Sequence, residues 1–171
     1  MMETGKIYYD LDLEIDGMGL VLYSEGAVQD LVEGENFFQR DYATPQQVAA
    51  HIKKGDIVGF CTGSGGRYHM KFRDGYPDES LIDQCSVAIR LALDVKGGKI
   101  SVIDLFWLME WNRDCPREQQ LCVEDGIYHL TVATTRPASG IWGDDQIIYV
   151  YMQKLETMPE LAWEGVPQLF E

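Results

Sequence analysis

The alternation of apolar and polar positions is cleanest near the start of the chain and again near residue 130. In Ile7-Tyr8-Tyr9-Asp10-Leu11-Asp12-Leu13-Glu14-Ile15-Asp16, one face of an extended strand carries Ile7, Tyr9, Leu11, Leu13 and Ile15. The other carries Asp10, Asp12, Glu14 and Asp16, with Tyr8. Such a strand buries one face and wets the other. In Ile127–Ala133, Tyr128, Leu130 and Val132 oppose Ile127, His129 and Thr131. Ile147–Met152 is apolar on both faces, as suits a strand covered on both sides. The segments Ile127–Ala133 and Gln146–Gln153 therefore read as two strands joined by the long loop Thr134–Asp145. That loop exceeds the usual two to five hairpin residues, and its Gly140-Ile141-Trp142-Gly143 either tucks back onto the sheet or projects as an anchor.

Further strands are predicted at Leu20–Tyr23, Asp56–Cys61, Tyr68–Arg73, Ser86–Val95 and Ile100–Leu105. Turn chemistry between them predicts hairpins at Gly17-Met18-Gly19, Thr62-Gly63-Ser64-Gly65-Gly66 and Lys96-Gly97-Gly98-Lys99. Thr44-Pro45 opens a helix with Val48, Ala49 and Ile52 on one side and Gly55 as its stop. A shorter helix is expected around Ala27–Val32, and Phe106–Trp111 reads as a helical turn or a strand end. Lys154–Glu171 is a tail, interrupted by Pro159 and Pro167, that drapes over the body. Together these features predict one domain, residues 1–171, of mainly β class. The expected fold is an antiparallel β-sandwich of about eight strands with one or two short helices, α+β being the alternative.

With 171 residues, 46% of them apolar, the chain can bury a real core. The opening Met-Met-Glu-Thr-Gly-Lys lacks a basic segment followed by an apolar one, and no apolar run approaches the ~18 residues of a membrane helix. Cys61, Cys85, Cys115 and Cys122 include no C-x-x-C pair and read as reduced thiols. These features predict a cytoplasmic protein that contacts no membrane.

Charge changes the picture most. The net charge is −14, and residues 1–36 hold nine acids against one base while residues 101–171 hold twelve against four. Nucleic-acid binding needs clustered Lys and Arg on the phosphates, so this balance argues against it and toward a basic protein partner. The acid row Asp10–Asp16 also reads as protection of a sheet edge against pairing.

Catalytic chemistry finds no support in the sequence. His51, His69 and His129 lie on a helix and two strands, with no spacing that makes a metal site. No G-x-S-x-G elbow is present, and the Gly63–Gly66 run lacks the G-x-x-x-x-G-K-[ST] spacing of a phosphate loop. Neither a cofactor nor an enzymatic activity is expected.

One further pattern joins several of these segments. Val87, Ile89 and Leu91 alternate, a glycine turn follows, and a strand begins at Ile100–Ile103. Next come Asp125-Gly126-Ile127-Tyr128-His129-Leu130-Thr131-Val132, a Thr-Arg-Pro loop, and Asp145-Gln146-Ile147-Ile148. In this order, Ser86–Gln153 resembles the C-terminal part of the competence-J family, inhibitors of DNA-entry nucleases. The resemblance implies a β-sandwich that inhibits a nuclease by binding it.

The expected function is accordingly that of an acidic, immunity-like protein that neutralises a basic nuclease or toxin. Asp10, Asp12, Glu14, Asp144 and Asp145 would pair with Lys and Arg of the partner. Trp142, with Trp111, would supply the apolar anchor, and Arg136 lies on the same loop. The alternatives are a small-molecule-binding or enzymatic β-domain using the Gly63–Gly66 loop, and a structural homo-oligomer joined through edge strands.

Overall fold

A computed structural model describes residues 6–171. The expectation that the chain carries no export signal rests on its first residues, which lie outside this range. Among these residues, nine strands form two sheets. The first sheet holds β1 (Tyr8–Ile15), β4 (Gly66–Asp74), β9 (Gln146–Leu155), β8 (Gly126–Thr134) and β5 (Val87–Val95), in that spatial order. The second holds β3 (Ile57–Cys61), β2 (Gly19–Ser24), β6 (Lys99–Asp104) and β7 (Gln120–Cys122). Every pairing is antiparallel except that of β4 with β9, which is parallel.

The β1 alternation appears as expected: Leu11, Leu13 and Ile15 are buried while Asp10, Asp12 and Glu14 face solvent. Leu11, Leu13, Met70, Leu91, Leu130 and Val150 belong to a core shared with Leu20, Leu22, Val58, Phe60 and Val102 of the second sheet. Fully burying each such side chain contributes about 1.5–3 kcal/mol.

Three α-helices are present among the described residues. α2 (Pro45–Lys54) starts with the capping box Thr44/Gln47 and Pro at its first turn. It ends at Gly55, whose φ of 72° suits a residue without a Cβ. Its buried residues Val48, Ala49 and Ile52 are those expected from spacing, and it packs on β3 and β5. α1 (Phe37–Asp41) and α3 (Glu79–Gln84) were not anticipated: five and six residues are too few to show helical periodicity. The helix expected at Ala27–Val32 is instead a 3-10 turn, Glu25–Ala27. There the Ser24 hydroxyl does not cap the turn but bonds Asp94 O and Lys96 N. Phe106–Trp111 resolves as a 3-10 turn, Leu105–Met109, with Asp104 accepting from Phe106 N.

Three of the expected hairpins are not hairpins. β1 passes through Asp16–Met18 to β2 in the other sheet, β3 passes through the glycine run to β4, and β5 passes through Lys96–Gly98 to β6. Side-chain pattern supplies the reason. β2 and β3 are apolar on both faces and gather into the second sheet, where β2 lies between β3 and β6 and all six of its residues are buried. β1 and β4 alternate, and sit where one face meets water. The expected hairpin that does form is β8–β9.

The tail docks. Cys61 N donates to Pro167 O and Leu169 N to Cys61 O, both at 2.8 Å, which covers the free edge of β3. Leu169 is fully buried and Trp163 Nε1 donates to Arg90 O at 2.8 Å. Among the described residues, no helix is long and apolar enough to cross a membrane, and the four cysteines are unpaired.

Candidate protein-binding surface

The corners that carry the chain between sheets meet the long β8–β9 loop at one end of the sandwich. Asp104 organises the first pair of corners. Its Oδ2 accepts from Asp16 N (2.9 Å) and Gly17 N (3.1 Å), and its Oδ1 accepts from Phe106 N (3.1 Å). A Cβ on Gly17 would lie 3.3 Å from the Phe106 ring, so the two turns are in close contact. Thr62 N donates to Met18 O at 2.8 Å, and Ser64 Oγ donates to Trp142 O at 2.6 Å. Arg67 N donates to Gly143 O at 2.8 Å, and Gly143 N donates to the buried Gln146 Oε1 at 2.8 Å. Four loops distant in sequence are thus bonded to one another, and the surface they form is ordered in advance.

Apolar side chains project from these loops. Ile141 is 65% exposed, Met18 54% and Phe106 48%. Met109 lies three residues beyond Phe106 in a 3-10 turn, where i and i+3 eclipse, and is also exposed. Acids border them: Glu14, Asp16, Asp144 and Asp145 are all exposed. Asp16 and Asp144 form no ion pair among the described residues. A groove of about 420 Å³ is lined by Arg136, Ser139, Asp144, Asp145 and Ile147.

The residues expected to bind a partner separate into three groups. Asp144 and Asp145 stand on this surface. Asp10, Asp12 and Glu14 lie beside it on β1, but β4 places Lys71, His69 and Arg67 directly opposite them. Asp10 pairs with Arg73 at 3.0 Å and Asp12 with His69 at 2.6 Å. Part of the acid row is therefore neutralised within the sheet, where such cross-strand pairs contribute about 0.2–1 kcal/mol each. His69 also meets Asp145 at 3.1 Å, which joins the strand row to the loop.

The two tryptophans need correction. Trp111 is 1% exposed and packs edge-on against Tyr23 with ring centroids 5.4 Å apart, so it is a core residue and not an anchor. Trp142 is half-buried beneath Arg136, whose guanidinium lies 5.3 Å from its ring and also reaches Glu171 at 3.5 Å. Ile141, its neighbour, is the residue that projects. Met18 and Phe106 were missed. Met18 had a readable signal, an apolar residue between two glycines as in Gly140-Ile141-Trp142-Gly143; Phe106 had none.

Two histidines are each held by two aspartates. The hydrogen bond that His69 donates to Asp12 raises its pKa above the ordinary value against an opposing effect of burial, and Asp145 adds to the rise. His51 bonds Asp56 (2.8 Å) and Asp41 (2.7 Å). Burial works against its charged form, but the two carboxylates outweigh it and its pKa is also raised. Among the described residues, no group of three or more His, Cys, Asp or Glu is arranged to hold a metal ion. The Gly63–Gly66 loop offers no cradle either. The Phe170 ring packs on Gly63 and Gly143 packs against Gly66, so the space a phosphate would need is filled by the protein itself.

No family model matches this chain, and no curated protein does. Two solved structures are similar in fold. One is ComJ from Bacillus subtilis, described as an inhibitor of the DNA degrading activity of NucA. It shares 12% identity and a TM-score of 0.56 over 88% of this chain and 98% of its own. The other is crocagin biosynthetic gene J, with 12% identity and a TM-score of 0.54 over 86% of this chain and 98% of its own. The likeness to competence-J expected from Ser86–Gln153 thus extends over most of the chain, as a likeness of fold.

Proposed function

We propose that this protein binds and blocks a basic, DNA-degrading nuclease, and that it docks through the loop end of the sandwich. The observation that carries this reading is the convergence there of exposed Met18, Phe106 and Ile141 with the unpaired carboxylates of Asp16 and Asp144. The fold likeness to a nuclease inhibitor supports it. The two acidic segments of the chain, residues 1–36 and 101–171, supply three of the four loops.

A nuclease holds DNA through cations on the phosphates. Carboxylates presented on a firm surface compete for those cations, and their charge steers the encounter. The apolar side chains then exclude water and slow release. Because the loops are already bonded to one another, little ordering cost falls on binding. Trp111 has no part in this interface, and Trp142 serves it only by supporting Ile141.

The test is capture of partners from the native lysate by the tagged protein at low and high salt, with identification by mass spectrometry. The captured fraction is then assayed on linear DNA. A stoichiometric basic nuclease, released by salt and silenced while bound, is the expected result. Phe106→Asp combined with Ile141→Asp should lose it without loss of fold. A nuclease retained equally by that double variant would overturn the docking site. Capture of no nuclease at either salt would overturn the function.

A further inference from the structure

The second sheet carries a cavity of about 260 Å³ on its outer face, beside the strand halves farthest from the loop end. Its floor is one cross-strand row. Tyr23 pairs with Ser101 and Ser101 with Gln120, and Gln120 Nε2 donates to Ser101 Oγ at 3.2 Å. Tyr23 and Ser101 are only 3% and 4% exposed. Burial raises the pKa of Tyr23, and it raises that of the neighbouring Cys115 thiol. Both groups therefore stay neutral near pH 7, and the floor is uncharged and rich in hydroxyls.

Charge enters only from the walls. Lys99, Arg113 and Glu25 line the same cavity, and none of them is ion-paired among the described residues. Arg113 is held in place by its own Nη2, which donates to Leu31 O at 2.8 Å, and its remaining donors are left for a ligand. Two cations with no ion-pair partner among the described residues thus line one polar cavity, where they can accept an anion. Glu25 adds a carboxylate to the same lining, suited to an ammonium group. The volume lies below the ~300–1,000 Å³ of most ligand pockets, which limits the occupant to the size of a free amino acid.

We propose that this pocket binds a small zwitterionic metabolite, its carboxylate or phosphate held by Lys99, Arg113 and the Ser101 and Tyr23 hydroxyls and its ammonium group by Glu25. The site is separate from the nuclease-docking surface and does not depend on it.

The test is an amide NMR titration of the whole chain with four probes at millimolar concentration: glycine, phosphoethanolamine, inorganic phosphate and ethylamine. Saturable shifts at Ser101, Gln120 and Glu25 are expected with at least one zwitterion, and the choice between glycine and phosphoethanolamine identifies the anionic head. Inorganic phosphate should bind more weakly and ethylamine should not bind. Lys99→Met, which keeps the apolar stem, should weaken the zwitterion by about tenfold or more through loss of a charge-assisted bond. Glu25→Gln should reduce its affinity to that of phosphate alone. The proposal fails if neither zwitterion shifts these amides, if Lys99→Met binds as the parent does, or if phosphate binds as tightly as the better of the two zwitterions. Nuclease capture by Lys99→Met should be unchanged.

Discussion

His51 and His69 are each bonded through both ring nitrogens to aspartate, one inside the fold and the other on its surface. His51 on α2 reaches Asp41 at the end of α1 and Asp56 just before β3. Its side chain is 11% exposed and lies against the rings of Phe37 and Tyr42. His69 on β4 reaches Asp12 on β1 and Asp145 in the long loop, with 33% of its side chain exposed. The chemistry is the same, but water competes for both aspartates of the second bridge. In the first it competes mainly for Asp41, which is half exposed, while the His51 ring and Asp56 are more sheltered. His51 therefore holds two helices to the second sheet. His69 contributes little to stability, and its role is to set the position of a loop in the proposed docking surface.

The largest expected effect is on the buried bridge. His51→Gln should lower the unfolding free energy by about 2 kcal/mol at pH 6, because two carboxylates lose a charged partner. Urea unfolding followed by circular dichroism measures this, and an equal loss at pH 9 would show that the bridge is not ionic. The parent protein should carry the same signature. The folded pKa of His51 lies above the 6.5 of the unfolded chain, so its contribution is complete below about pH 6.5 and drains away as pH rises through the folded value. Asp56 shifts the opposite way: burial works against its charged form, but its bonds to the charged His51 and to the Ile57 N–H outweigh it. Its contribution is present above about pH 4 and is lost as pH falls through its lowered value. The melting temperature should therefore be highest between these limits and fall on the alkaline side, and His51→Gln should flatten that alkaline fall.

The surface bridge predicts smaller changes in stability and larger ones in binding. Asp16→Asn with Asp144→Asn removes two unpaired charges, so stability should stay within about 0.5 kcal/mol. Association with the nuclease should slow by about three- to tenfold and lose salt dependence; stopped-flow measurements across a salt series decide this. His69→Gln should cost less than about 0.5 kcal/mol while increasing the mobility of Ile141–Asp145 in backbone NMR relaxation. Unchanged relaxation would mean that His69 does not restrain the loop. The finest comparison is between its two aspartates. Asp12 is the main cause of the raised pKa, so Asp12→Asn should lower the NMR titration midpoint of His69 more than Asp145→Asn does. Asn at 145 also tolerates the φ of 47° found there, the one positive φ outside glycine among the described residues.

Much of this was readable from local pattern. The β1 alternation, the β8–β9 pair and the Thr44-to-Gly55 limits of α2 all follow from features confined to a few residues. Glycine turns also announced where the chain reverses. They did not say which sheet the returning strand would join, since a turn satisfies its backbone either way. That choice depends on how many faces of each strand must be buried, and so on the whole core. Trp111 shows the same limit from the other side: an aromatic beside Asn112-Arg113-Asp114 looks like a rim residue until the edge of Tyr23 is found against it.

Charge divides most sharply between the two levels. The acid row on β1 and the surplus of carboxylates at both ends of the chain were determined by sequence alone. Whether a given carboxylate is available was decided by tertiary structure, because its partner comes from a distant strand or loop. Asp12 finds His69 57 residues away, and Asp145 meets the same ring from the other side. Asp104 spends both oxygens on the backbone of two turns. Asp16 and Asp144, no different in the sequence, are left facing water. Coulomb energy falls off over a few ångströms of solvent, so what a charge can do is fixed by its neighbours in space, and those are set by the packing of the two sheets.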